Sequence, residues 1–318
     1  MTLRVAVFGA GAIGSFYGAR LSDGGASVSL IARGQHLEAI RERGLTIMTP
    51  GLTRTYTIPA TDDPATLGPV DIVLFTVKSY DTTDAAERIR PLLHETTGVV
   101  SLQNGIDNED RIAGVIGREH VLGGAAYILA AVREPGVVEA GGPLAMVIGE
   151  LDGGPPSERV QAVLEVAARA GLAVRVADDV HVALWDKYTL LVAFSAMTGT
   201  VRLPIGAIRQ SSAATEMLHA LMTEVWTIGR AEGVALDDEL VDRQMGLLLS
   251  QDPEGTSSLY QDLVGGRRME LEALQGTAIR LGRRHGIPTP ALDAAYAILQ
   301  PWAMRNERAA EERTPVAT

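Results

Sequence analysis

The sequence predicts two domains in series, an α/β domain over residues 1–177 and an all-α domain over residues 178–318. Three observations carry that prediction. The short apolar run Val5-Ala6-Val7-Phe8 passes directly into Gly9-Ala10-Gly11-Ala12-Ile13-Gly14, a G-x-G-x-x-G spacing set between a strand and a helix. Two more runs of buried-strand character, Asp71–Lys78 and Gly98–Gly105, follow in the same half. Beyond Asp178 strand patterns cease, and every segment reads at helical spacing.

Each glycine of the motif has a physical reason. Gly9 allows the tight turn out of the strand, and Gly11 lets the backbone approach a pyrophosphate. Gly14 lets the new helix, Ala12–Leu21, pack against the sheet with its first amides facing the phosphates. The chain has 34 glycines, so chance spacings occur; the strand before and the helix after give this one its meaning. The first domain therefore reads as a Rossmann-type dinucleotide-binding fold, with Gly9, Ala10, Gly11, Ala12, Ile13 and Gly14 as cofactor-binding residues.

Ser27–Ala32 reads as the second strand and is followed by Arg33. In such folds an acidic residue near this point binds a ribose 2′-hydroxyl, whereas arginine suits a 2′-phosphate. No acid stands at this strand end, so Arg33 predicts NADP(H) over NAD(H); the other reading is a solvated loop arginine. A polar helix, Gln35–Arg43, and strand-like pieces through Leu45–Ile58 come next. Asp71–Lys78 ends on Lys78 at the carboxyl edge of the sheet, where ligands gather in doubly wound folds. A helix over Asp81–Leu93, stopped near Pro91, leads to Gly98–Gly105, which ends in Gln103-Asn104-Gly105. Asn-Gly alone is a turn signal. Here it closes a third strand ending on a residue suited to a nucleotide, after Gly9 and Lys78. Val121–Val132, Val137–Glu139 and Ala145–Leu151 read as strands joined by turns at Glu134-Pro135-Gly136 and Gly141-Gly142-Pro143, so antiparallel strands should close the sheet. A helix over Pro155–Ala170 and a short strand over Leu172–Val176 complete the domain.

In the second domain, helices are expected over Asp179–Met197, Arg209–Glu232, Asp237–Leu249, Arg267–His285 and Thr289–Arg305, with a polar, frayed tail over Arg308–Thr318. By fold-level analogy such a domain supplies substrate contacts. Its first helix is apolar nearly all round yet carries Lys187. An ammonium there is costly unless it reaches a carboxylate, the surface or a wet cleft, and the residues alone leave a structural and a catalytic role equally open. Glu270, beside Arg267 and Arg268, reads by itself as a solvated helix-surface ion pair.

Bulk properties exclude several classes. At 318 residues, 46% apolar and 21% charged, the chain has the composition of an ordinary globular protein, and a net charge of −11 argues against nucleic acid or an anionic membrane as partner. With no cysteine, disulfides and thiolate chemistry are out; six dispersed histidines without ligand spacing argue against a metal site. No G-x-S-x-G elbow occurs. The chain enters a strand at once, leaving no space for a signal peptide, and no apolar run approaches the roughly 20 residues of a membrane span, so a cytoplasmic location is expected. The apolar helices of the second half fit a homodimer surface and core packing equally well.

Taken together, the glycine motif, Val77-Lys78 after a buried strand, Gln103-Asn104-Gly105, Trp185-x-Lys187, Ser257-Ser258-Leu259-Tyr260-Gln261-Asp262, Glu270 and His285-Gly286-Ile287-Pro288-Thr289-Pro290 resemble the ketopantoate reductase (2-dehydropantoate 2-reductase) family in order and spacing, over nearly the whole chain. The resemblance implies an NADPH-dependent oxidoreductase of pantothenate biosynthesis, reducing a 2-oxo acid in a cleft between a Rossmann domain and a helical domain. It implies Lys187 as the proton donor to the keto oxygen and Glu270 as the acid that orients substrate and lysine. Asn104, Ser195 and Ser258 are implied as substrate-binding, and Lys78 and Asn104 as flanking the nicotinamide ribose. A fixed ammonium neutralises the charge that hydride attack builds on oxygen, and a nearby carboxylate keeps that lysine protonated against burial. Where the family carries three pocket asparagines, this chain has Leu191, Ser195 and Ile205, which points to a bulkier or more apolar 2-oxo acid. Two other readings stand beside this one: a related hydroxy-acid oxidation, and a non-catalytic NADP(H) sensor, which would not need Lys187 and Glu270.

Overall fold

In the computed structural model, which describes residues 2–313, a first unit (Met1–Ala183) alternates strands and helices. They are β1 (Arg4–Phe8), α1 (Ala12–Asp23), β2 (Ser27–Ile31), α2 (Gly34–Arg43), β3 (Leu45–Thr49), β4 (Leu52–Tyr56), β5 (Ala60–Thr61), β6 (Ile72–Phe75), α3 (Thr82–Arg88), β7 (Gly98–Ser101), α4 (Asn108–Ile116), β8 (Val121–Glu134), β9 (Val137–Glu150), α5 (Glu158–Arg169) and β10 (Ala173–Val176). The strands form one ten-stranded sheet in the order β4-β3-β9-β8-β7-β6-β1-β2-β5, with β10 also paired to β9. From β5 across to β8 every pairing is parallel. Such strands are covered on both faces, which is why β1, β6 and β7 read as unbroken apolar runs rather than alternating ones. The chain moves from β1 out to β2 and later returns to β6 on the other side of β1, a switch that opens a crevice at the carboxyl ends of these strands.

Several expectations are corrected here. The strands over Asp71–Lys78 and Gly98–Gly105 stop at Phe75 and Ser101, so Lys78 and Asn104 stand in the loops that follow. The helix expected over Asp81–Leu93 holds α-geometry only from Thr82 to Arg88 and then tightens to a 3₁₀ turn at Arg90–Leu92, because Pro91 has no N–H to continue the ladder. Gly141-Gly142-Pro143 is not a turn. It lies within β9, where the β8–β9 register jumps between the pairs Tyr127↔Ala145 and Leu129↔Gly141, with Gly142 and Leu144 at positive φ (78° and 50°). A bulge of this kind absorbs extra residues without ending the pairing, which sequence punctuation does not distinguish from a turn. The outer edge of β9 is also occupied, by β3 and β10, so the hairpin lies inside the sheet rather than closing it. The helix expected from Pro155 begins at Glu158, and α4 was not anticipated.

The second unit begins at Leu184, within the helix α6 (Val180–Val201). It continues through α7 (Ile205–Ile208), α8 (Ser212–Ala231), α9 (Leu240–Leu249), α10 (Ser258–Val264), α11 (Thr277–His285) and α12 (Pro290–Arg313), with no strand among the described residues. The expected helix from Arg209 starts at Ser212, where Ser211 Oγ caps the amide of Ala214, and the one from Asp237 starts at Leu240. The helix expected over Arg267–His285 begins late: residues 267–270 are irregular, and a π-helical turn, Glu272–Gly276, runs directly into α11. α12 carries the chain helically through the part of the expected frayed tail up to Arg313, with Pro301 inside it; residues 314–318 lie outside the described residues. α7 and α10 had no periodic signal long enough to read.

Candidate functional site

Because the central strands are parallel, the segments after β1, β2, β6 and β7 emerge at one edge of the sheet, and these segments carry Gly9–Gly14, Arg33, Lys78 and Asn104. Gly9 sits at φ 96°, and a Cβ there would come within 2.8 Å of both Val77 N and Val77 Cγ1. The glycine turn is thus packed on the chain just before Lys78. Thr76 Oγ1 lies 2.7 Å from the Gly9 carbonyl, and the amide of Ala10 donates to the Ile31 carbonyl at 2.9 Å. At Gly14 a Cβ would fall 2.4 Å from Thr76 Oγ1 and 2.7 Å from Val7 Cγ1, so the close helix–strand approach is real.

Gly11 differs from both. It is exposed, and a Cβ built on it would meet no protein atom nearer than the Gly9 carbonyl at 3.9 Å. Packing inside the protein therefore does not demand glycine here. The bare backbone at the N-cap of α1 is instead a cradle that a side chain would fill, and it fits a dinucleotide pyrophosphate. Arg33 occupies the N-cap position of α2 with its side chain 85% exposed, its Nη2 3.6 Å from Asp81 Oδ2. An exposed pair at that distance holds the guanidinium weakly and leaves it free to meet a phosphate.

Lys78 and Asn104 are placed alike. Lys78 stands three residues beyond Phe75 and Asn104 three beyond Ser101, and Phe75 and Ser101 are register partners in β6 and β7. A buried polar network joins the two loops. Gln103 Nε2 donates to the Val77 carbonyl (2.9 Å) and to Thr82 Oγ1 (2.8 Å). Thr82 Oγ1 lies 2.9 Å from the Ser79 carbonyl and 3.1 Å from Asn108 Oδ1, while Asn108 Nδ2 donates to the Asn104 carbonyl at 2.9 Å. In the sequence Gln103 reads only as part of the Gln-Asn-Gly run, without a role, and neither Thr82 nor Asn108 is singled out; the three hold the backbone at Val77 and Asn104. Beside this network Glu109 is buried in the first turn of α4, and burial pushes its carboxyl up to about 7.

The second unit holds the other predicted residues. Lys187 is half-buried on α6, flanked by Asp186, whose carboxylate takes Arg243 Nη2 (3.0 Å) and Gln244 Nε2 (2.6 Å), and by the buried Tyr188. Trp185 packs edge-on against Tyr188 with ring centroids 5.5 Å apart. Gly229 of α8 makes room for that indole, since a Cβ there would fall 2.7 Å from Trp185 Cε3. Glu270 is 7% exposed, which corrects the reading of it as a solvated surface glutamate: it lies between the buried Met269 and Leu271. Ser258 is exposed in the first turn of α10; the preceding Ser257 caps that helix and shares a 2.7 Å hydrogen bond with Thr198 of α6. Ser195 is 0% exposed, and its hydroxyl donates to the Val192 carbonyl at 3.1 Å and accepts from Gln275 Nε2 at 2.7 Å. Leu191 is half-buried and Ile205 buried. Among the described residues no group of three or more histidines and carboxylates could hold a metal ion, and no helix is long and apolar enough to cross a membrane.

One compositional fact bears on both units. Of the 28 basic residues only two are lysines, Lys78 and Lys187. Everywhere else this chain uses arginine.

Family models agree with this arrangement. The model described as ketopantoate reductase PanE/ApbA matches residues 5–153, and that of its C-terminal part matches residues 179–303. The chain belongs to the ketopantoate reductase family. It is an NADP-dependent oxidoreductase of that type. The 2-dehydropantoate 2-reductase of Halobacterium salinarum is 33% identical over 294 residues, covering 91% of this chain and 95% of that protein. The crystal structure of a PanE/ApbA family ketopantoate reductase from Ralstonia eutropha superposes with a TM-score of 0.88 at 33% identity, covering 96% of this chain and all of that one. A ternary structure of D-mandelate dehydrogenase with NADH and anilino(oxo)acetate shares the fold, with a TM-score of 0.87 at 22% identity over 96% of this chain and all of that one.

Proposed function

We propose that this member of the family reduces 2-dehydropantoate, or a more apolar 2-oxo acid of the same class, with Lys187 delivering the proton to the keto oxygen. The observation that supports the reading most is the economy of lysine. A chain that places arginine wherever a permanent surface cation suffices keeps an ammonium at just two positions, one in each unit. An ammonium differs from a guanidinium in being compact and able to give up its proton within the accessible pH range.

In this reading residues 1–177 bind the cofactor and residues 178–318 hold the substrate. The glycine cradle receives the pyrophosphate, Arg33 the 2′-phosphate, and Lys78 and Asn104 flank the nicotinamide ribose. NADPH, when bound, supplies the hydride. The Lys187 ammonium stabilises and then protonates the developing alkoxide, with Glu270 orienting it; Asn104 and Ser258 contribute to substrate recognition, while the wholly buried Ser195, its hydroxyl engaged by Val192 and Gln275, does not meet the substrate directly. Leu191 and Ile205, in positions where the family carries amides, favour an apolar substrate group over a hydroxyl-bearing one.

The test is NADPH oxidation with ketopantoate beside branched and aromatic 2-oxo acids, for the native protein and Lys187→Ala. Turnover of one oxo acid that falls by about 10²–10⁴-fold in the variant is expected. A preference for ketopantoate over every apolar oxo acid would overturn the apolar reading, and undiminished turnover by Lys187→Ala would overturn the proton-donor assignment.

A further inference from the structure

The segment that follows Glu270 is an unusual piece of backbone. Leu274 N donates to the Glu270 carbonyl at 3.1 Å, but the amide of Gly276 reaches back five residues to the Leu271 carbonyl at 3.0 Å, the π-helical pattern. A widened turn is rarer than an α-turn and persists where tertiary contacts hold it. Here the contacts come from α6, 80 to 86 positions away. Tyr188 Oη donates to the Leu274 carbonyl at 2.5 Å, and Gln275 Nε2 donates to the Val192 carbonyl at 2.9 Å and to Ser195 Oγ at 2.7 Å. Gln275 and Ser195 are wholly buried, Tyr188 nearly so, and among the described residues Gln275 Oε1 has no partner. An orphaned buried acceptor is costly, so the favourable part of this side chain lies in the two bonds its amide nitrogen makes. The hydrogen bonds make a short path: Tyr188 adjoins Lys187, its hydroxyl holds Leu274, and the Leu274 amide holds the backbone of Glu270.

We propose that Tyr188 and Gln275 are positioning residues of the reaction, stapling the π-turn to α6 and thereby setting the geometry of the Glu270 carboxylate relative to the Lys187 ammonium. The proposal rests on the reading of Lys187 and Glu270 given above. It also gives Ser195 a part in the staple, as the acceptor that fixes the Gln275 amide. A carboxylate held close keeps a lysine protonated, and one allowed to drift does so less. The staple's effect therefore reaches a measurable property of Lys187.

The two-lysine composition makes that property directly observable. Protein labelled with ¹³Cε-lysine gives two lysine resonances, and Lys187→Arg identifies its own by deletion. In Tyr188→Phe and in Gln275→Met, the Lys187 resonance is expected to titrate about half a pH unit or more below its native midpoint. The Lys78 resonance and the NADPH dissociation constant should stay unchanged, and kcat should fall roughly tenfold with its alkaline limb moved down. A defect of folding alone would lower the melting temperature without moving the midpoint. The two variants cut different bonds of the staple, so either one that melts cooperatively suffices. Native midpoints together with kcat within twofold of native, while Lys187→Ala abolishes turnover, would overturn the staple and leave the proton donor standing. Full turnover by Lys187→Ala would overturn the proton donor itself and, with it, the staple's role in the reaction.

Discussion

Arg33 and Glu109 show how differently two charged side chains are used within one unit. Arg33 stands in solvent just beyond β2, its guanidinium 3.6 Å from the Asp81 carboxylate. A charge-assisted bond to a phosphate contributes about 1.5–3 kcal/mol, so Arg33→Ala should weaken NADPH binding by roughly 10–100-fold. NADH affinity should stay where it was, a contrast that fluorescence titration of both nucleotides checks. Equal losses for the two would remove Arg33 from the 2′-phosphate. Glu109 is 4% exposed, and desolvation, reinforced by the nearby charges of Asp107 and Asp110, raises its carboxyl from 4.5 to about 7. The folded state therefore holds a proton that the unfolded chain releases between those values. Stability attached to this group is present below pH 4.5, is lost as pH rises towards 7, and is flat above it. Urea unfolding should show a decline between pH 4.5 and 7 that Glu109→Gln shrinks by up to about 3 kcal/mol. An identical decline in the variant would mean the carboxyl is solvated.

At the scale of elements, the glycine turn separates two positions where packing demands glycine from one where it does not. Gly14 faces Thr76 Oγ1, Val7 and the Gly9 carbonyl at 2.4–2.8 Å, and Gly9 combines a φ of 96° with contacts of 2.8 Å. Alanine at either position should cost about 1–3 kcal/mol of stability, seen as a lower melting temperature with or without nucleotide. Gly11 has open space and an ordinary φ of −77°. Gly11→Ala should therefore melt within about 1 kcal/mol of the native protein, the small loss being that of a poorer N-cap, yet bind NADPH at least tenfold more weakly. Loss of stability without loss of affinity would reverse the assignment. The same contrast applies in the second unit, where α6 is fastened to α10 through Thr198–Ser257 and to the π-turn through Tyr188 and Gln275. One helix thereby organises the segments that carry Lys187, Ser258 and Glu270.

For the whole molecule, a net charge of −11 means that an anionic nucleotide and a 2-oxo acid are attracted by local cations against the overall field. With two lysines in the chain, amine acetylation can reach only Lys78, Lys187 and the α-amino group. Acetylation removes the charge and the transferable proton together, so activity should fall at least tenfold as these two positions react. Bound NADPH should shield Lys78, which peptide mass spectrometry reads directly. Complete acetylation of both with full activity would dissociate the lysines from the reaction.

Much of this was legible in the sequence because burial and backbone conformation leave local signatures. An unbroken apolar run marks a strand covered on both faces, Gly9-x-Gly11-x-x-Gly14 marks a tight strand-to-helix turn, and Lys187 stands out as a charge in an apolar helix. The count of two lysines was there to be read as well, and points to the same two side chains. Other features had no local signature. Gly141-Gly142-Pro143 spells a turn, and only the continued pairing of β8 with β9 makes it a bulge. Glu270 beside two arginines spells a surface ion pair, and only the packing around Met269 and Leu271 buries it. The π-turn depends on a tyrosine hydroxyl 86 residues away and a glutamine amide reaching back to α6. The sequence by itself determined the division into an α/β half and a helical half and most of the longer strands and helices, since those follow from neighbours along the chain. Which polar groups are desolvated, and which distant carbonyl each one meets, was decided by the tertiary structure, because the energy of a buried charge or hydrogen bond is set by whatever the fold brings beside it.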